Sequence, residues 1–217
     1  MSMDLLEDAS DARDYALERL IMLSDGVFAI AITLLALELR PPEHWDGGLG
    51  SLVTLMARPL GAFLFSFVMI AIYWINHRRM FGRFRSADMG LTILNLFLLG
   101  LITLTPVITN LVAEAGPRSG AFAVYVGLIC GIGAANALLW AWAAFARPRL
   151  FVLEPPGPTK VVVAAVMLVP VAILPILAFA IAGRTEPWTI GLVLVVVAGV
   201  RALRVWAART GSRQWMP

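Results

Sequence analysis

Six stretches of about twenty mostly apolar residues divide this 217-residue chain, and each is long enough to cross roughly 30 Å of hydrocarbon as a helix. Their positions predict spans at about 20–39, 59–75, 89–113, 120–145, 160–182 and 188–208, with residues 49–57 as a short surface helix before the second. Apolar residues make up 60% of the chain and charged ones 14%, a surplus no soluble globule of this size can hide. The runs are apolar on every face instead of alternating, which excludes a membrane β-barrel. Pro106, Pro170 and Pro175 fall inside them and predict kinks. Cys130 is the sole cysteine, so an internal disulfide framework and a Cys-based zinc site are both excluded. The expected fold class is an all-α integral membrane protein: one domain over 1–217, six transmembrane helices, no linker and no internal repeat.

The net charge of +3 forms no basic stripe with interleaved aromatics, which argues against a nucleic-acid partner. Instead, Arg78, Arg79, Arg83 and Arg85 follow span two, Arg147, Arg149 and Lys160 follow span four, and Arg209 and Arg213 follow span six. The opposite loops hold one arginine each: Arg40, Arg118 and Arg184. Short loops rich in arginine stay in the cytoplasm, so a multi-pass topology with both termini cytoplasmic is expected. Residues 1–18 form an acidic segment on that side, unlike the basic start of a cleaved signal peptide.

Chemistry concentrates in span one, Arg19 through Leu39. A carboxylate inside a membrane helix is costly unless paired or wetted, which makes Asp25 a candidate functional residue. Arg19, six residues earlier, lies on a different face and cannot bridge to it along the helix. Span two ends in Tyr73-Trp74-Ile75-Asn76-His77-Arg78-Arg79 on the same side. Two readings are open: an interfacial aromatic belt with a positive cluster, or an interhelical polar network of Arg19, Ser24, Asp25, Trp74, Asn76 and His77. On another face, Leu23, Gly26, Ile30, Thr33, Leu34 and Leu37 share a sector of about 100°. That stripe suits ordinary helix packing, with Thr33 bonded back to its own helix, as well as it suits a functional surface.

The run Arg19, then Leu23-Ser24-Asp25-Gly26-Val27-Phe28-Ala29-Ile30-Ala31-Ile32-Thr33-Leu34-Leu35, resembles the first-span signature of the transmembrane protein 175 family, with Leu23 where Phe is usual. The end of span two and Asn95 through Pro106 also resemble it, so the likeness covers most of residues 19–110. The family's members are potassium channels with six helices per repeat, and its bacterial members have one repeat and assemble as tetramers. The resemblance therefore implies a homotetramer in a bacterial inner membrane, with helix 1 lining a central pore. It also implies a constriction at Ile30 with further rings at Thr33 and Leu37, in the stripe that includes Gly26 and Leu34. The polar network at the end of spans one and two is implied as well.

No T-V-G-Y-G loop occurs, so a filter of stacked backbone carbonyls is excluded. Selectivity for potassium would come from an apolar ring that makes ions shed water, in a leak-like channel. No cofactor or metal beyond permeating potassium, no small-molecule substrate and no partner beyond lipid and further copies of the chain are expected. Two transport alternatives are a proton-permeable channel and a secondary transporter, the latter normally needing repeats and a polar midplane site. An enzyme is not expected: Ser24, Asp25 and His77 are the residue types of a hydrolase triad, but Ser24 and Asp25 diverge by about 100° on one helix.

Overall fold

The computed structural model describes residues 2–42, 45–116, 118–169 and 171–173, with 198, 199, 201, 202 and 205; side chains are described from Tyr15 onward. The later part of the predicted fifth span and nearly all of the sixth lie outside these residues. Helix α1 runs Ser2–Leu37, α2 Leu49–Phe81, α3 Met89–Thr103, α4 Thr105–Ala115, α5 Gly120–Ala141 and α6 Gly157–Met167. Among the described residues, four segments are long and apolar enough to cross a membrane: 15–37, 49–81, 89–115 and 120–146.

One boundary differs from the expected ones, and the kink expected at Pro106 is present. Residues 49–57 are not a separate surface helix; they are the first turns of a continuous 33-residue α2 that accommodates Pro59. Pro59 stands three turns into α2 and has no N–H for the carbonyl of Leu55, a loss that membrane helices tolerate. Span three is broken: α3 ends at Thr103, the N–H of its cap residue Leu104 turns back to Leu101 O, and α4 restarts with Pro106 in its first turn. Pro106 has no N–H to offer and its ring crowds the preceding turn, so the helix resets there.

The bundle is centred on α5, whose spanning window is 56% buried against 11% for α2. Small residues permit that burial. A Cβ added at Gly133 would lie 3.0 Å from Val171 and 3.1 Å from the Tyr73 hydroxyl, so glycine is what allows α2 and the chain after α6 to close on α5. Ile129, Ile132, Leu139 and Trp140 fill the remaining space.

At one end the connections are tied together. The α2–α3 turn pairs with the segment after α5: Arg85 N–H donates to Leu150 O (2.8 Å) and Val152 N–H to Arg83 O (3.0 Å). Phe84 and Phe151 meet edge to face across that bridge, 5.0 Å between centroids. Asp88 caps α3 through Leu91 N–H (2.7 Å), accepts from the Trp142 indole (3.2 Å) and pairs with Arg147 (3.3 Å). Trp142–Ala146 form a π-helical turn, and the Trp142 ring lies over Gly90, where a Cβ would collide with it.

Candidate pore helix and the polar cluster beside it

Helix α1 presents two rows. Leu17, Leu20, Ser24, Phe28, Ala31 and Leu35, spaced three or four apart, are buried against α2, α3 and α4. Gly26, Ile30, Thr33, Leu34 and Leu37 are exposed together on the other side, as is Leu23. Ile30 is 57% exposed and Leu37 73%. The Thr33 hydroxyl donates to Ile30 O (2.9 Å), so its hydrogen is spent on the helix and its lone pairs face outward. An oxygen in that state can accept from water or meet a cation, but cannot donate.

The buried row carries the polar cluster, and its proton positions follow by elimination. The Ser24 hydroxyl donates its one hydrogen to Leu20 O (2.7 Å). It can then only accept, so the Asn95 amide nitrogen donates to it (2.9 Å). Asn95 Oδ1 is left as the acceptor toward His77 Nε2 (2.8 Å), which must hold a proton. The His77 ring stacks on Phe81 at 4.1 Å and leans against Phe28 at 5.6 Å. Ser24, His77 and Asn95 are all buried, so three helices are tied by bonds from which water is kept away.

Asp25 is bonded separately. Its carboxylate accepts from Trp74 Nε1 (2.8 Å), and the Arg78 guanidinium lies over the same indole, 5.1 Å from the centroid. The indole is thus polarised at its N–H edge by an anion and over its face by a cation. The other two expected members lie elsewhere. Arg19 is exposed and sits over the Tyr15 ring at 5.6 Å. Asn76 is two residues from Trp74, about 200° around α2, so the helix that offers Trp74 to Asp25 turns Asn76 toward a cavity shared with α5 and α6.

Asn95 is the member that spacing at the end of spans one and two does not supply; a lone amide within the apolar run 89–102 was its signal. Two further polar contacts have weaker signals. Asn110 donates to Glu38 (2.6 Å) on the wall of a cavity of about 680 Å3 between α1, α2 and α4. Ser66, Thr109 and Tyr125 join hydroxyls at 2.8 Å each. Among the described residues no group of three or more His, Cys, Asp or Glu side chains is placed to hold a metal.

The endosomal/lysosomal potassium channel TMEM175 family matches residues 19–106, which hold the whole polar cluster and the exposed row. The crystal structure of a lysosomal potassium-selective channel TMEM175 homologue from Chamaesiphon minutus superimposes with a TM-score of 0.64 at 31% identity, covering 87% of this chain and 97% of that one. The chain belongs to the TMEM175 family. A potassium channel of Chamaesiphon minutus is 41% identical over 135 residues, 59% of this chain and 66% of that protein. One of Streptomyces collinus is 39% identical over 92 residues, 42% of this chain and 45% of the relative. The chain thus spans under two thirds of the length of these curated relatives. Like other TMEM175 family members it is a multi-pass membrane protein, and the helical architecture agrees with the homologue's.

Proposed function

We propose that this TMEM175 family protein is a potassium-selective, leak-like channel in a bacterial inner membrane. It works as a homotetramer of six-helix chains with both termini in the cytoplasm, and α1 from each copy lines the pore. The carrying observation is the exposed apolar row on α1: a greasy face opposite the row that packs on the bundle needs lipid or another copy of the chain to cover it. Relatives named as potassium channels support the second choice.

Four Ile30 side chains would form the narrowest ring. Their methyl groups cannot replace water lost by an ion, so every cation meets a dehydration cost, and sodium, which holds its shell more tightly, meets the larger one. A difference of about 1.4 kcal/mol at that barrier gives a tenfold preference. One turn on, the Thr33 oxygens offer lone pairs to the ion. A narrow apolar ring also closes by dewetting, without large helix movement. The Ser24–Asn95–His77 cluster holds each α1 at the angle that keeps Ile30 on the axis.

Planar bilayers with potassium on one side and sodium on the other test this. The native protein should show a reversal potential displaced toward potassium equilibrium, and Ile30→Asn should raise current and move that potential toward zero. Ohmic equality of the two ions in the native protein would overturn selectivity; an unmoved potential in the variant would overturn the ring.

A further inference from the structure

At the end of the bundle away from the α2–α3 turn, α2, α4 and α5 leave a groove of about 240 Å3 between them. Its floor carries three buried hydroxyls whose protons can be placed one after another. Thr109 donates to Thr105 O (2.7 Å), so it can only accept from Ser66, and Ser66 can then only accept from Tyr125, at 2.8 Å each. Every hydroxyl hydrogen is spent within the protein, and none is left for a guest. The rest of the wall is apolar or small, with Gly61, Ala62 and Phe65 of α2 facing Val112 of α4 and Phe122 of α5. A Cβ added at Gly61 would meet nothing within 4 Å. A slot with no donor and so few acceptors holds water poorly.

Arg58 lines the groove one turn before Gly61. It is exposed, and its guanidinium reaches the turn after α4, 3.5 Å from where a Cβ on Gly116 would stand. No carboxylate lines the groove among the described residues. Glu38 and Glu114 share the neighbouring cavity with Arg58, but Glu38 accepts from Asn110, and neither forms an ion pair with Arg58 among the described residues. The slot therefore suits a hydrocarbon chain, and the guanidinium at its end suits a phosphate, which arginine can grip with two parallel bonds. A free phosphate would answer only the second, and a bare hydrocarbon only the first.

We propose that the groove seats one acyl chain of a phospholipid whose phosphodiester meets Arg58. Hydrocarbon is no better off in the slot than in the bilayer except by packing, so the guanidinium decides which molecule stays and the slot decides where its chain runs. The site is separate from the α1 row, and its occupancy does not depend on what the protein conducts.

The test is photolabelling of the full chain in detergent micelles, mapped by peptide mass spectrometry. One probe is phosphatidylglycerol with a diazirine on one acyl chain; the other is diacylglycerol with the same chain and no phosphate. Phosphatidylglycerol should label Phe65 and Phe122 about tenfold above Val68 and Ile75, which are apolar residues of α2 outside the groove. Diacylglycerol should show no such excess. Arg58→Gln should remove the excess for phosphatidylglycerol and leave diacylglycerol as it was. Gly61→Leu, for which the structure has room, should fill the slot and cut labelling at Phe122. An excess of glycerol 3-phosphate should not compete. Even labelling along α2 would mean ordinary surrounding lipid and would overturn the site, as would an Arg58→Gln chain that labels like the native one. A groove that neither probe reaches would mean that the rest of the chain or a second copy fills it, and would overturn the lipid as its occupant. Full competition by glycerol 3-phosphate at equal concentration would overturn it too.

Discussion

On α1, Phe28 is 1% exposed while Ile30, two residues on, is 57% exposed, and hydropathy hardly separates the rows to which they belong. What separates them is where the one polar member of each finds its partners: Ser24 accepts from Asn95 on another helix, whereas the Thr33 hydroxyl donates back to its own. The row with Ser24 is buried; the row whose only polar member is Thr33 is exposed. In water the apolar row would turn inward. In a membrane bundle the polar groups need partners that lipid cannot give, so Ser24 turns toward Asn95 and His77, and the greasy row is left for lipid or for neighbouring copies. Burial on this helix follows the demand for hydrogen bonds.

That contrast can be broken from the buried side first. Phe28→Ala removes a ring packed against His77 and should cost about 3 kcal/mol, read as a lower midpoint in unfolding titrations in mixed micelles. Asn95→Leu keeps the branched shape but strands the His77 Nε2–H, and should cost about 2 kcal/mol. Adding His77→Phe should recover most of that loss, whereas adding Ser24→Ala should recover little, because Ser24 keeps its bond to Leu20 O. On the exposed row the effect should move from stability to conduction. Ile30→Asn should leave protomer unfolding within about 0.5 kcal/mol of native. Thr33→Val should be the mildest: unchanged unfolding and about a twofold fall in potassium current, the kinetic equivalent of some 0.4 kcal/mol.

The contrast also shows what a reader of the sequence could see. The exposed row and the position of Asp25 were legible because a 3.6-residue period sorts side chains by face, and Trp74 and His77 because they close span two beside the start of span one. Asn76 joins them by proximity in the chain alone; the same period turns it to the far side of α2. Asn95 depended on a third helix whose rotation no local pattern fixes. The break before Pro106 was legible from the missing donor. The Phe84–Phe151 pairing was not, since a bridge of two residues has no period to detect.

The arginines of α2 carry one more consequence. Arg58 and Arg78 are twenty residues apart, roughly 30 Å along the helix axis, which is the thickness of the oily layer itself. Each guanidinium is drawn to a water boundary, so the pair acts as a gauge that fixes how deep the molecule rides. The nine residues before Arg58 carry α2 on beyond that length. In a thinner membrane both cations cannot stay wet unless α2 leans, and the bundle packed on it must lean too.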